Sequence, residues 1–168
     1  MRQMTEQNLR AAYAGESQAH MKYKIFADQA EKEGKPNIAK LFRAISYAEQ
    51  VHATNHFKAL GDLGQTTENL DTAIGGETYE VNEMYPAFDA VAELQGEKSA
   101  KRSIHYALEA EKIHAAMYQE AKQAAEAGKD LEIGDIFICG RCGYTVEGEA
   151  PDTCPVCGAK KEMFKKFS

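Results

Sequence analysis

The sequence predicts a mainly α protein, in which a four-helix bundle with one long crossover is followed by a small metal-binding β domain. Three observations lead to this prediction. Apolar residues recur at three- and four-residue intervals between residues 5 and 128, the spacing of an amphipathic helix. All four cysteines lie in the last thirty residues, in two Cys-x-x-Cys pairs. A run of β-branched and aromatic residues does not occur before residues 136–138.

Glycine and proline divide the first part of the chain into four predicted helices. The first ends at Gly34, and Pro36 suits the first turn of the second helix. Glycines and threonines between residues 61 and 76 predict a long connection, which is the crossover. The third helix covers roughly residues 77–95, with a local irregularity at Pro86, and the fourth covers roughly residues 98–127 and stops at Gly128.

The uneven distribution of cysteine predicts the domain boundary. The chain has 168 residues and 18.6 kDa, enough for one ordinary domain and a small appendage. Residues 1–138 contain no cysteine, so we expect a helical domain over 1–133 and a second domain over 134–168. Because the cysteine spacing is strictly paired and the sequence contains no secretory signal, metal binding is favoured over disulfides.

Charge and hydropathy exclude several classes of partner. The net charge of −6 and the pI near 5.4 argue against a nucleic acid partner. No apolar run approaches the ~20 residues of a membrane-spanning helix, and the polar first ten residues lack a signal core. We therefore expect a soluble, cytoplasmic protein without a membrane partner.

Five glutamates and two histidines of the predicted helices violate the apolar pattern. They are Glu16, Glu49, His52, Glu77, Glu80, Glu111 and His114. A lone buried carboxylate costs several kcal/mol or is forced neutral. Five carboxylates can share one core only if a cation lies among them.

An internal repeat brings these residues together. The motif Ala-Glu-x-x-His-Ala occurs at residues 48–53 and again at 110–115. Glu16 precedes the first motif glutamate by 33 residues, Glu80 precedes the second by 31, and a turn glycine lies near each midpoint. In two antiparallel hairpins these side chains share one height. The set is typical of a dinuclear iron or manganese site in a ferritin-like bundle.

Spacing also assigns roles within this predicted site. The two motif glutamates, each one turn from a histidine, are placed to bridge the metals, whereas Glu16 and Glu77 can each cap one metal. Glu80 is a surplus carboxylate, which could replace His52 as a ligand when the metal charge rises, or merely balance charge nearby. The predicted catalytic residues are Glu80, His52 and Glu16.

The two cysteine pairs predict a one-metal site of four thiolates. The ligands are Cys139, Cys142, Cys154 and Cys157. A glycine follows each pair, and we expect it to adopt the positive φ that closes a metal knuckle. A domain this small depends on its metal for stability. Zinc and iron both accept four thiolates, and the adjoining redox site favours iron because zinc cannot cycle.

Taken together, the motifs resemble the rubrerythrin family over essentially the whole chain. They are Gly-Glu-Ser-Gln-Ala at 15–19, the two Ala-Glu-x-x-His-Ala motifs, Gly-Glu-Thr-Tyr-Glu at 76–80, Glu-Met-Tyr-Pro at 83–86, and the tail motifs Cys-x-x-Cys-Gly-Tyr and Cys-Pro-x-Cys-Gly. The resemblance implies a ferritin-like diiron domain, a rubredoxin-like domain with one iron, and reduction of hydrogen peroxide to water.

The resemblance also implies ligands and partners. One iron would be held by Glu16, Glu49, Glu111 and either Glu80 or His52, and the other by Glu49, Glu77, Glu111 and His114. The family implies a head-to-tail homodimer, in which one subunit's rubredoxin-like centre serves the partner's diiron site. Helix geometry supports this, because about 25 Å of helix separates the end of the last helix from the site in one chain.

The predicted function is therefore a peroxidase that receives electrons through its own four-cysteine iron. The upstream donor would be a separate NAD(P)H-dependent rubredoxin reductase or a rubredoxin, since the chain has no nucleotide-binding glycine motif. Two alternatives stay open at this point: a ferroxidase or O₂-reducing oxidase, and a non-catalytic iron-binding or storage protein with a structural zinc ribbon.

Overall fold

The computed structural model describes all 168 residues, and they form two compact units, Met1–Gly64 and Gln65–Ser168. The mainly α class is confirmed, with a small three-stranded sheet at the carboxyl end. No helix combines the length and the apolar character that a membrane span requires. The predicted boundary near residue 134 stays a prediction.

The first unit is an antiparallel pair of helices, α1 (Gln3–Lys32) and α2 (Pro36–Leu60). Pro36 opens α2, as predicted. The two helices approach closely because their contact is made by small residues, of which Ala27, Ala39 and Ser46 are buried. His20 stabilises this contact: its Nδ1 lies 2.9 Å from the Ser46 carbonyl oxygen.

The helical part of the second unit contains α3 (Thr66–Tyr79), a π-helical segment (Glu80–Met84), α4 (Tyr85–Leu94) and α5 (Lys98–Glu126). The π segment is the local irregularity that Pro86 predicted. Proline has no N–H for the usual hydrogen bond one turn back, and a wider turn accommodates its ring. Glu80 is the first residue of this segment.

The connection between α2 and α3 is much shorter than we predicted. We expected it over residues 61–76, but α3 begins at Thr66, so only residues 61–65 lie outside a helix. A capping box explains the early start, since the Gln65 N–H donates to the Glu68 carboxylate at 2.7 Å. The glycines at 75 and 76, predicted to be loop residues, lie inside α3 at a cost of about 1 kcal/mol each relative to alanine.

The carboxyl-terminal sheet has three antiparallel strands in the order β2-β1-β3. They are β1 (Ile136–Cys139), β2 (Thr145–Glu147) and β3 (Phe164–Phe167). β1 pairs with both neighbours, for example Phe137 with Val146 and with Lys166. The buried cluster of this domain consists of three cysteines and Ala159, with partly buried side chains such as Tyr144 and Phe164 packed against it. Apolar packing alone therefore contributes little stability to this domain.

Candidate metal centres

The first unit brings together three of the predicted ligands. Glu16 comes from α1, and Glu49 and His52 come from one face of α2. The His52 Nδ1 lies 3.1 Å from a Glu49 carboxylate oxygen and 3.7 Å from a Glu16 oxygen. One donor atom from each of the three residues lies within 4.8 Å of the other two.

The second unit contains a matching group built from the other half of the repeat. Glu77 comes from α3, and Glu111 and His114 come from α5, again with donor atoms within 4.8 Å of one another. The His114 Nδ1 lies 2.6 Å from a Glu111 carboxylate oxygen. Glu80 lies outside this group of three, although its charge raises the pKa of Glu77.

The carboxylates within each group lie close together, and this proximity shifts their pKa values. Burial first, and then the hydrogen bond and charge of Glu111, raise the pKa of Glu77 to about 7. Burial and Glu111 also raise the pKa of Glu80. In the first unit a hydrogen bond to Glu49 raises the pKa of Glu16, while the pKa of Glu49 falls. Without a cation, such pairs retain protons that a divalent metal would displace.

Tyr85 stands next to the carboxylates of the second unit. Burial is the main cause of its raised pKa, and the charges of Glu80, Glu111 and Glu77 add to it. A phenol near these oxygens can donate a hydrogen bond that orients a ligand carboxylate.

The four cysteines form a compact thiol cluster. The Sγ atoms of Cys139 and Cys157 lie 3.6 Å apart, and those of Cys142 and Cys154 lie 3.5 Å apart. A tetrahedron with metal–sulfur bonds of about 2.3 Å has edges of about 3.8 Å, so a single metal ion fits this cluster with small adjustments. All four thiols are free of disulfides.

The two knuckles have the backbone that we predicted. Gly143 and Gly158 take positive φ angles of 81° and 71°, and their N–H groups each donate at 2.9 Å to the carbonyl of the first cysteine in the pair. Burial on its own would raise the pKa of Cys139, but hydrogen bonds from the backbone N–H groups of Arg141 and Cys142 and from Cys157 lower it to about 7. Burial raises the pKa of the Cys142 thiol. The backbone N–H groups that donate to Cys139 stabilise its thiolate, which is the form that binds a metal.

The cysteine domain packs directly on α5 beside the second ligand group. A Cβ on Gly143 would lie 3.7 Å from the Ala110 side chain, and the Thr145 Oγ1 lies 2.8 Å from the His114 Nε2. Our estimate of about 25 Å between tail and site within one chain is therefore wrong for this group. It assumed that the chain leaves α5 and continues away from the helix, whereas the chain reverses and returns along α5.

The contact with Thr145 fixes the orientation of the His114 ring. The Thr145 hydroxyl donates its single proton to the Gly143 carbonyl at 3.0 Å, so it accepts a hydrogen bond from His114. The donor is then the Nε2–H, and the Nδ1 is the nitrogen that faces Glu111, at a distance of 2.6 Å that requires a proton between the two atoms. A metal that displaces this proton would find the Nδ1 lone pair directed to the same side as the Glu111 carboxylate.

Thr145 is the functional residue that the sequence did not reveal. It follows the conspicuous Cys-x-x-Cys-Gly-Tyr motif, but nothing in its spacing connects it to a histidine 31 residues earlier. The other predicted ligands occur in the three clusters described above, apart from Glu80 at the edge of its group.

The donor sets are typical of known metal sites. Two groups of two carboxylates and one imidazole suit iron or manganese, and four thiolates suit iron or zinc.

Family models show where these features occur together. A model described as Rubrerythrin matches residues 7–122, and one described as Rubrerythrin, rubredoxin-like domain matches residues 137–165. This chain belongs to the rubrerythrin family.

Similar proteins support the assignment along the whole length. This rubrerythrin is 46% identical to Rubrerythrin-2 of Clostridium acetobutylicum, in an alignment that covers 98% of the chain and 97% of that protein. It is 33% identical to nigerythrin of Nitratidesulfovibrio vulgaris, covering 97% and 86% of the two chains. A solved structure of fully reduced, all-ferrous nigerythrin matches 97% of this chain and 86% of that one, with 32% identity and a TM-score of 0.57.

Family membership and the donor clusters agree on the cofactors. This rubrerythrin carries the ligand groups for a dinuclear iron centre and for a rubredoxin-like centre with one iron, as predicted. It is accordingly an oxidoreductase of the diiron, rubredoxin-like type that acts in oxidative stress.

Proposed function

We propose that this rubrerythrin is a peroxidase that reduces hydrogen peroxide to water with electrons relayed through its own four-cysteine iron. The observation that supports the proposal most is the contact between the two centres. Cys142 is followed by Gly143, whose carbonyl accepts from Thr145, which in turn accepts from His114. Two hydrogen bonds therefore connect the imidazole of His114 to the backbone of Gly143, the residue bonded directly to the thiolate ligand Cys142.

We propose the dinuclear ligands to be the seven residues predicted from the repeat. They are Glu16, Glu49, His52, Glu77, Glu80, Glu111 and His114. When bound, the two irons supply the two electrons that break the O–O bond of the peroxide. The protein residues hold these irons and balance their charge: the glutamates are anionic ligands, and Thr145 holds the ring of His114 in the ligating orientation.

Glu80 is proposed to act when the metal charge increases. It lies outside the three-donor group of Glu77, Glu111 and His114, and its electrostatic interaction with Glu77 and Glu111 raises the pKa of Glu77 and of Glu80 itself. An anionic carboxylate stabilises a more positive metal better than the neutral His52 does. We therefore propose that Glu80 replaces His52 as a ligand on oxidation.

The four-cysteine centre needs an electron donor of its own. The sequence has no glycine-rich nucleotide motif, so we propose a separate NAD(P)H-dependent rubredoxin reductase, or a rubredoxin, as that donor. The head-to-tail homodimer and the cytoplasmic location stay predictions.

The test compares the intact protein with two variants. Cys157→Ser removes one thiolate, whereas Lys160→Ala changes an exposed residue of the same domain and serves as the control. We expect NAD(P)H-driven peroxide reduction to fall at least tenfold in Cys157→Ser only. The chemically reduced variant should still be oxidised once by peroxide. Undiminished turnover would refute the relay.

The same preparations discriminate between the alternatives. A ferroxidase would consume Fe²⁺ and O₂ faster than peroxide, and a storage protein would accumulate iron beyond three ions per chain without turnover. Zinc in the four-cysteine site of protein expressed with adequate iron would favour a structural ribbon.

A further inference from the structure

We infer that the electron donor docks on the second cysteine knuckle, residues 154–158, and that this donor is an acidic protein. The inference rests on the proposed electron relay and adds the place where the electron enters and the charge of the partner. Three observations carry it: the open surroundings of the second knuckle, two basic side chains at its edge, and the distribution of charge over this unit of the chain.

The two knuckles share one backbone structure. In residues 139–143 and again in residues 154–158, the final glycine takes a positive φ and donates its N–H at 2.9 Å to the carbonyl of the first cysteine. In each knuckle the N–H of the first cysteine donates to the carbonyl five residues later, at 2.9 and 2.7 Å. The sulfur cluster therefore has two equivalent sides, one for each knuckle.

Only the first of these sides is covered. A Cβ on Gly143 would lie 3.7 Å from a side chain of α5, and Thr145, just beyond this knuckle, contacts His114. A Cβ on Gly158, the equivalent glycine, would have nothing within 4 Å. Cys157 is also the one cysteine of the four that is not buried. Because the first knuckle faces the dinuclear ligands, the second is the side left open for a donor.

Arg141 belongs to the first cysteine pair but lies at the edge of the second knuckle. Its guanidinium donates to the Cys157 carbonyl at 3.4 Å. The neighbouring Gly140 N–H donates at 2.8 Å to the carbonyl of Met163, which holds the 3₁₀ turn Lys161–Met163 beside this arginine. The Arg141 side chain is exposed and forms no ion pair within the chain. It therefore places an uncompensated positive charge next to the exposed cysteine.

Lys161 provides a second cation at this edge. It opens the 3₁₀ turn, and its N–H donates at 3.2 Å to the carbonyl of Asp152, two residues before the second knuckle. Its side chain is exposed and forms no ion pair with the carboxylates of Asp152 or Glu162. By contrast, Lys122 on α5 is held by a carboxylate. Lys161 and Arg141 are both free to contact carboxylates of another protein.

The charge of this unit indicates which donor fits. Residues 65–133 contain 14 acidic and six basic residues, whereas residues 134–168 contain five of each. Since like charges repel, an acidic protein is disfavoured at the helices and is directed to the small domain, where two free cations flank Cys157. A basic protein would be attracted to the helices instead. The surface thus selects a donor with carboxylates around its redox group.

The centre of this surface is small and apolar. Pro155 is exposed, and Val156 is half-buried against the cysteine cluster. Electron-transfer contacts that form and dissociate quickly bury less than about 1,200 Å². A short apolar centre with a charged edge suits such a contact, because a one-electron carrier must leave before the next one binds.

Reduction by flavodoxin tests the inference. An acidic flavodoxin in its hydroquinone form is mixed with the oxidised, iron-loaded protein in the absence of peroxide. The flavin loses one electron and becomes the semiquinone, while the iron of the four cysteines goes from ferric to ferrous, and visible absorption reports both changes. Arg141→Glu combined with Lys161→Glu should lower the second-order rate constant at least tenfold at low salt. At about 1 M salt the difference should shrink to about twofold, because the Debye length is then about 3 Å.

A matched control variant carries the same net charge. Lys98→Glu combined with Arg102→Glu reverses an exposed lysine and an exposed arginine at the start of α5, and the rate with flavodoxin should stay close to that of wild type. The methyl viologen radical cation, which an anionic surface does not repel, should reduce every variant at least as fast as wild type. Equal slowing in both double variants, or no slowing in either, would overturn the inference. Slow reduction of Arg141→Glu/Lys161→Glu by methyl viologen would also overturn it, since the cations would then act on the iron and not on the partner.

Binding gives a readout without electron transfer. When both proteins are oxidised no electron moves, and calorimetric titration should show about tenfold weaker binding of flavodoxin to Arg141→Glu/Lys161→Glu than to wild type. Arg141→Gln combined with Lys161→Gln removes both charges with a smaller change to the knuckle and should give an intermediate loss. The same dissociation constant in all three proteins would overturn docking at this knuckle and leave the relay intact. A failed peroxidase assay would not alter these measurements, since no peroxide is present.

Discussion

Replacement of Thr145 by valine probes the contact between the two metal centres. Thr145→Val keeps the β-branched shape and removes the hydroxyl that accepts from the His114 Nε2–H at 2.8 Å. A buried donor left without a partner costs about 1–3 kcal/mol. The His114 side chain is 29% exposed, so water can replace part of the lost bond and we expect about 1.4 kcal/mol, or tenfold.

Two assays should report this loss. Competition with a chelator should show about tenfold weaker iron binding at the dinuclear centre, within the range seen when a partner of a ligand histidine is removed. Stopped-flow mixing should show slower electron transfer from the four-cysteine iron to the oxidised dinuclear centre. The visible absorption of the four-cysteine iron should be unchanged, since Thr145 is not a thiolate ligand.

Matched variants separate the hydroxyl from general packing. Thr145→Ser retains the hydroxyl and should restore both properties, whereas Thr153→Val makes the same substitution at an exposed position of the same domain and should have no effect. Wild-type iron affinity and wild-type transfer rate in Thr145→Val would refute the role that we give to this contact.

Three further predictions concern the carboxylates and the small domain. Glu80→Ala should still load iron but should raise the reduction potential of the dinuclear centre by about 60 mV, which is equivalent to a tenfold change in equilibrium for one electron. The control Glu83→Ala, in the same π segment, should leave the potential unchanged. An unchanged potential in both variants would show that Glu80 has no role in the redox step. Because the pKa of Glu77 is raised to about 7, metal-free protein should lose stability as the pH rises from about 5 to about 8, and bound metal should abolish this loss. Thermal melting curves at the two pH values measure the direction of the change. A melting temperature of the metal-free protein that is the same at both pH values would contradict the prediction. Removal of the metal from the four cysteines should unfold residues 136–167 and leave the helices intact, because cysteines form most of that domain's buried centre; amide hydrogen exchange that stays slow in β1 after metal removal would disprove it.

The sequence predicted the ligand clusters because their information is local and repeated. Helical periodicity placed Glu49 with His52 and Glu111 with His114, and the structure finds each pair within one donor group. The cysteine knuckles could also be predicted from the sequence, because the glycine after each pair has to adopt a positive φ.

Other features depended on contacts that no local pattern encodes. The glycines at 75 and 76 indicated a loop, but a capping box at Gln65 and the tertiary packing of α3 overrode this signal. The return of the chain along α5, and with it the contact between Thr145 and His114, depends on residues 31 positions apart. The π segment was anticipated only as an irregularity, because Pro86 signals a disturbed helix without specifying its type.

The most direct test of the central claim is steady-state peroxide reduction by two metal forms of the same protein. Both would contain iron at the dinuclear centre, and the four-cysteine site would hold iron in one form and zinc in the other. If electrons pass through that site, NAD(P)H-driven turnover with the upstream reductase should collapse in the zinc form, while each form should undergo one rapid oxidation by peroxide after chemical reduction. Equal steady-state rates in the two forms would contradict the account.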